Sequence, residues 1–416
     1  MPPEKVYDII GIGIGPFNLG LAALCSEIPE LNCLFIDQNE SFNWHPGMML
    51  ENARLQVPWY ADLVSLASPR SQFIYMNYLH EKGKQFRFAI ADQSFIKRNT
   101  YNDYCCWVCD QLSYLQFGTT CQLVEKENNF YRVKTNKGSY LTQKIVLGTG
   151  TVPFIPEFTP NQHENVFHSS EYLFKKQSIR DLSSVTIIGS GQSAAEIFYD
   201  LMQCRTGELN WFTRSSRFYP MDYSKLTLEL STPDYIDYFH QLPERKKKAV
   251  LAGQDTLYKG INQSLISDIY DMLDDINSPN LHLHTNCELK KISDDLLLTF
   301  LHTEMEKTFT TKTDAVILAS GYCSKVPDCI KPIRPFIRLD QEGLYKPHRN
   351  YSIDDSSSIF IQNGEQQTHG FNAADLSLGP YRNAVILNTI IGYERYKVET
   401  GITFQSFGLP KLQRTL

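Results

Sequence analysis

Residues 7–20 read YDIIGIGIGPFNLG: an apolar run that ends in alternating glycines and runs on into the helical pattern NLGLAALCSEI (18–28). A short buried strand, a tight glycine turn and a helix together open a βαβ nucleotide-binding unit. Gly11, Gly13 and Gly15, with Pro16 behind them, let the backbone turn sharply and present helix N-terminal N–H groups to a pyrophosphate. Asp37 closes the next apolar run, CLFID (33–37), where a carboxylate can accept from ribose hydroxyls. A loop of this kind at the N-terminus points to FAD.

The pattern returns at VTIIGSG (185–191), followed by the helical stretch SAAEIFYDLM (193–202). Here Gly189, Gly191, Gln192 and Ser193 form the turn, and the next run, LNWFTR (209–214), ends in Arg214 with no acid at its tip. A guanidinium there can pair with a ribose 2′-phosphate, which an acid would repel; the second nucleotide is therefore expected to be NADPH. Two further runs, IVLGTG (145–150) and AVILASG (315–321), end in glycine turns of the type that pass beside a dinucleotide. The expected fold is α/β, with two Rossmann-like dinucleotide-binding domains, the NADPH domain inserted in the FAD domain. Residues 1–180 would form the first part of the FAD domain and 181–309 the NADPH domain. A polar, aromatic, helix-like insertion at about 218–280 would form a small helical substrate region. Residues 310–416 would complete the FAD domain and add substrate-site elements.

With 40 Lys and Arg against 46 Asp and Glu, the net charge of −6 leaves no basic footprint for nucleic acid. No apolar run approaches the roughly 18–20 residues that span a bilayer, and no signal-peptide core opens the chain, so a cytoplasmic location is expected. The ten cysteines are then read as reduced thiols. Cys106 and Cys109 form a C-x-x-C in the helix-like YNDYCCWVCDQLSYL, without a second ligand pair, and read as structural. Among flavin chemistries, a disulfide reductase would place a reactive cysteine pair soon after the first loop, and the spacing of Cys25 and Cys33 does not suit it. The Baeyer–Villiger pattern is only partly met: His168 and Tyr172 match, but Glu164 stands where a glycine belongs.

Several segments together carry a more specific likeness: DIIGIGIGPFNLGLAAL, FNWHPGMML, LQVPWYADLVSLASPRSQFIYMNYL, VLGTGTVPFIP, FHSSEY, IIGSGQSAAEIF, ASGY and THGFNAADLSLGPYRNAVI. From Tyr7 to about Gly392 the chain resembles the microbial N-hydroxylating flavin monooxygenases of siderophore biosynthesis, the lysine/ornithine N-hydroxylase family. The resemblance implies FAD on Gly11, Gly13, Gly15, Pro16 and Asp37, with Trp44, His45, Met48 and Gln56 along the flavin. It implies NADP on Gln192, Ser193 and Arg214, and His369, Leu376 and Ser377 near the flavin and the substrate amine. Gln56, His45 and Ser377 would then be the catalytic set. It also implies the chemistry: reduced flavin and O2 form a C4a-hydroperoxide, whose distal oxygen is attacked by a neutral amine nitrogen while bound NADP shields it. Members often assemble as dimers or tetramers, so a homo-oligomer is possible.

One departure from the family bears on the substrate. Five residues after the flavin-side glutamine, amino-acid hydroxylases commonly place a lysine that pairs with the substrate carboxylate; this chain has Ala61. The T-N-Y-S segment of the ornithine enzymes reads Thr256-Leu257-Tyr258-Lys259 here. A buried carboxylate without its cation is costly. With Ala61, Leu257, Lys259 and Ser377 as substrate positions, the expected substrate is a small primary amine lacking a carboxylate, putrescine or cadaverine, oxidised with O2. Histamine is the alternative, and lysine or ornithine if Lys259 replaces the missing cation. Glu229, Asp222 and Asp375 are candidates to hold a distal ammonium. Outside this chemistry stand an uncoupled NADPH oxidase and a flavin-binding sensor.

Overall fold

The computed structural model describes residues 5–160, 163–205 and 207–410. The opening motif folds as strand Val6–Ile12 and helix Pro16–Cys25, with Gly15 at the turn between them. Strands Cys33–Ile36 and Gly138–Leu147 flank the first strand in parallel, placing Ile9 beside Cys33 and Lys144. Ile9, Ile10, Phe35, Ile145 and Val146 have no exposed surface, as expected of a parallel sheet covered on both faces. The seven-stranded sheet runs Leu115–Gln116, Cys33–Ile36, Val6–Ile12, Gly138–Leu147, Phe130–Thr135, Cys121–Glu127. Its remaining strand, Ile359–Ile361, pairs parallel with Gly138–Leu147.

The second motif builds a parallel sheet of five strands in the order Leu281–His284, Glu208–Phe212, Ser184–Ile188, Ala315–Leu318, Val166–His168. Two of these strands lie on the far side of the expected boundaries at 180 and 310. Val166–His168 and Ala315–Leu318 both belong to the second sheet, because their apolar side chains complete its core instead of the first. The chain leaves the first unit through Thr151–Pro153 and returns through Tyr322–Ser324, and the two passages pair antiparallel. An antiparallel sheet of Cys287–Ile292, Leu297–His302 and Lys307–Lys312 covers Phe212 and Leu318.

The insertion is helical, as its pattern suggests: Lys225–Leu228, Pro233–Gln241, Glu244–Ala252, Asp255–Tyr258 and Gln263–Ile276. Tyr235, Phe239 and Leu251 pack there on Phe371 from the first unit. Residues 401–405 are tied down by two acids of the insertion. Asp234 accepts from the N–H groups of Gly401, Ile402 and Thr403 at 2.7, 2.7 and 3.0 Å. Glu229 accepts from those of Phe404 and Gln405 at 2.9 and 3.0 Å. Phe407 then stands edge-on to Tyr235, 5.1 Å between ring centres. Among the described residues no helix is long and apolar enough to cross a membrane, and no His, Cys, Asp or Glu cluster could hold a metal. Cys106 and Cys109 end the helix Arg98–Cys109 as free thiols, and burial raises both.

Candidate active site

A cavity of about 1260 Å³ opens where the first glycine turn meets the strand ends. Gly13 has φ +91°, and a Cβ there would lie 2.4 Å from the Gly148 carbonyl oxygen, so the turn needs glycine for conformation and for space. Asp37 fixes the turn from the neighbouring strand, Oδ2 accepting from Ile14 N–H at 2.6 Å and Oδ1 from Asn39 N–H at 2.8 Å. Beneath lies Asn18, fully buried, donating Nδ2 to Gly13 O at 2.8 Å and accepting from Gln362 Nε2 at 2.7 Å. No side chain caps the helix Pro16–Cys25, so its N-terminal donors are open to the cavity. Gln362 also lines the cavity, and its Oε1 is buried without a partner. A glycine cradle, an uncapped helix end, an acid at the end of the second strand and a cavity of this size suit an extended dinucleotide such as FAD.

Three separate motifs build one wall. His45 takes the left-handed backbone at φ 51°, which turns the chain into Pro46–Met48. A Cβ on Gly47 would lie 1.8 Å from Ser170 O, so only glycine lets WHPGM pack against FHSSEY. The His168 ring bridges Ser170 N–H, at 3.1 Å, and Gly321 O, at 2.9 Å, tying FHSSEY to ASGY. Tyr322 completes the wall, its ring centre 5.8 Å from that of His45 and 5.1 Å from that of His168. Crowding by these walls, and then the charge of Arg98, lower His45 to a pKa of about 4, although part of its ring faces the open cavity. His45 is therefore neutral at physiological pH.

Opposite, Gln56 donates Nε2 to Gly260 O at 3.1 Å, and Tyr223 donates to Gln56 O at 3.0 Å. The insertion thus grips the residue on the cavity wall. Arg98 of the first unit and Glu196 of the second form a two-pronged ion pair at 2.7 and 2.8 Å.

The expected site residues divide. Gly13, Gly15, Pro16, Asp37, Trp44, His45, Gln56 and Leu376 line the cavity. Gly11 lies inside the first strand, packed against the Phe35 ring. Met48 does not reach the cavity: it is 3 % exposed and belongs to the apolar core around Tyr172 and Ile187. His369 is likewise a core residue, stacked on Tyr351 at 4.4 Å, its Nε2 3.2 Å from Arg349 O, and burial lowers its pKa well below the ordinary value. Ser377 gives its hydroxyl to Asp375 at 2.7 Å. Ala61 is buried at a turn, its N–H bonded to Pro58 O. Leu257 packs in the aromatic cluster of the insertion, and Lys259 is exposed, pairing with Asp255 at 2.8 Å. At the second loop, the Gln192 amide bonds Asn262 N–H and Glu196, each at 2.8 Å, so it braces the helix start. Ser193 sits in the first turn of that helix, and Arg214 is exposed at its strand end.

Asn18, Tyr258 and Tyr322, which the sequence motifs contain without assigning them a role of their own, also line the cavity, as does Gln362. For Gln362 a signal existed: IFIQNG (359–364) is one more apolar run ending in a polar turn.

The model for the L-lysine 6-monooxygenase/L-ornithine 5-monooxygenase family matches residues 5–324. The chain belongs to this family. It is similar to the putrescine N-hydroxylase of Shewanella oneidensis, 46 % identical over 97 % of this chain and 84 % of that protein. Among solved structures, the FAD-bound cadaverine monooxygenase of desferrioxamine biosynthesis from Erwinia amylovora superposes with a TM-score of 0.95 at 42 % identity, covering 98 % of this chain and 99 % of that one. The ornithine N-hydroxylase of Kutzneria, with reduced FAD, NADP+ and L-ornithine, gives 0.85 at 26 % identity, covering 93 % and 99 %. This member of the family is an N-hydroxylating flavin monooxygenase that uses FAD and NADPH.

Proposed function

We propose that the enzyme hydroxylates one nitrogen of a short diamine, putrescine or cadaverine, at the expense of NADPH and O2, in siderophore assembly. One observation carries the choice of substrate: no lysine or arginine is among the described residues that line the cavity. An amino-acid substrate would bring a carboxylate with nothing to neutralise it, at a cost of several kcal/mol. Lys259, the candidate replacement, is exposed and already paired with Asp255. The names of the Shewanella and Erwinia relatives agree with this reading.

Gly13, Gly15, Pro16 and Asp37 would hold FAD, with Asn18 and Gln362 fixing the turn from below. Ser193 and Arg214 would take the NADPH phosphates, with Gln192 ordering the helix between them. When bound, reduced FAD supplies the activated oxygen; the remaining steps fall to the protein. An alkylammonium has a pKa near 10.4, and only the neutral amine can attack, so the pocket must favour loss of that proton. Neutral His45 and the uncharged side chains of Trp44, Gln56 and Leu376 would do so by placing no negative charge beside the reacting nitrogen. Bulk water must also be kept from the oxidant, to limit loss as hydrogen peroxide. Ten free thiols and the use of NADPH suit a reducing, cytosolic setting.

The test is an amine panel of putrescine, cadaverine, histamine, lysine and ornithine, scored for hydroxylamine and for NADPH consumed. A diamine should give the highest kcat/KM, with product matching NADPH. Clear preference for lysine or ornithine would reject the proposal, and NADPH oxidation without product would make the protein an uncoupled oxidase.

A further inference from the structure

We infer that Asp375 binds the distal ammonium of the substrate, the end that is not oxidised, and so sets the enzyme's preference for diamines over monoamines. The inference rests on the diamine reading above and deepens it. Asp375 stands just behind the cavity wall, between Ala374 and Leu376, which line it, where the turn Phe371–Ala374 passes into Leu376–Leu378.

Its carboxylate is held but not neutralised. Oδ1 accepts from Ser377 N–H at 2.9 Å and Ser377 Oγ at 2.7 Å, and the Ser231 hydroxyl stands beside the group. No lysine, arginine or histidine of the described residues forms an ion pair with it. The fully buried acids are provided for. Glu196 has Arg98, and Glu365 has Arg382 at 2.9 Å. Asp62 is saturated by Val64 N–H, Ser65 N–H, Ser65 Oγ and Tyr75 N–H. Asp354 takes Ser356, Ser358 and Ile359. Asp375 differs from them in being half-buried, with three donors and no cation within ion-pair distance; burial pushes its carboxyl up, against the weaker pull of the more distant Arg382 charge. Such a group gains from any cation that reaches it.

Its position also suits a ligand with two ends. Tyr223 is close enough to feel the Asp375 charge, and its hydroxyl bonds to Gln56 O at 3.0 Å and Asn262 Oδ1 at 3.1 Å. Asp375, Tyr223 and Gln56 thus run from the half-buried acid to the cavity wall where the amine is to be oxidised. The two other candidates are spent elsewhere. Glu229 holds the backbone of Phe404 and Gln405, and Asp222 is exposed and bonds Ser224 and Thr227.

The experiment compares putrescine with butylamine, which has the same length but one nitrogen, in FAD-loaded wild type and Asp375→Asn. Substitution should raise KM for putrescine roughly 10- to 100-fold, the loss expected of a charged hydrogen bond. KM for butylamine and the rate of flavin reduction by NADPH should stay within about twofold. Asp375→Glu should restore much of the diamine preference. A putrescine KM unchanged in Asp375→Asn overturns the assignment, as does an equal loss with both amines, which would mark a purely structural role. If wild type prefers lysine or ornithine, the diamine reading itself has failed, a result visible before any variant is made.

Discussion

The two glycine loops share a fold and differ in charge, a difference that suits them to different nucleotides. Each loop is pinned by a second glycine turn through the same contact. A Cβ on Gly13 would lie 2.4 Å from Gly148 O, and one on Gly189, at φ +147°, 2.3 Å from Ala319 O. Beyond that they diverge. In the first, the neighbouring strand ends in Asp37, whose carboxylate grips the loop backbone. In the second, that place falls to Thr213-Arg214-Ser215, and the tie to the loop is a weak hydroxyl contact, Ser215 to Ser190 at 3.3 Å. A fixed acid can accept from hydroxyls and repels phosphate; a free guanidinium does the reverse. On the proposed assignment, one architecture would serve two cofactors by reversing the charge at one position.

The strongest way to break this comparison is to put a methyl group on each loop. Gly13→Ala should weaken FAD binding more than about 100-fold, since it combines a forbidden backbone with a clash against backbone. Gly189→Ala should leave the protein yellow and instead raise KM for NADPH by tens of fold. Absorbance of the purified proteins, FAD titration and a circular dichroism check of folding separate the outcomes; loss of FAD from both variants would mean the loops are not independent.

Removing Arg214 probes the charge itself. Arg214→Ala should reduce the kcat/KM preference for NADPH over NADH by about 10- to 100-fold, mostly through KM for NADPH. An unchanged ratio would place the 2′-phosphate elsewhere. The matching change in the first loop is smaller: Asp37→Asn keeps one acceptor and should cost FAD affinity about 3- to 10-fold.

The smallest effect concerns what joins the loops. His168 is 1 % exposed, bridges FHSSEY to ASGY as a neutral ring, and burial lowers its pKa from 6.5. Below that pH the unfolded chain holds the extra proton and the folded one resists it, so stability falls as pH drops from about 6.5. Thermal melts at pH 7 and pH 5 should show a drop a few °C smaller in His168→Gln than in wild type. Equal slopes would mean the ring is protonated without penalty.

Much of this plan was legible in sequence because its signals are local. A glycine turn, its strand and its helix lie within one stretch of chain, and Asp37 and Arg214 sit at the ends of apolar runs. What escaped depends on distant neighbours. Met48 and His369 stand in family-like segments, yet Met48 is claimed by the core around Tyr172 and His369 by Tyr351. Asn18 lies in the first motif, but its role depends on Gln362, 344 residues away. The boundaries at 180 and 310 shifted because a short apolar strand does not say which of two sheets it will join.

The tail at residues 401–405 is held by five main-chain amides given to Asp234 and Glu229, and by the side chains of Thr403 and Gln405, which reach the same two acids. The amide part of this clasp is indifferent to the side chains that pass through it. Substitutions at the exposed Ile402 and Phe404 should therefore drift freely, Pro apart, while the two acids, Thr403 and Gln405 are constrained. Variation at those two positions says little about the enzyme, and a change at either acid would release the tail from the helical insertion.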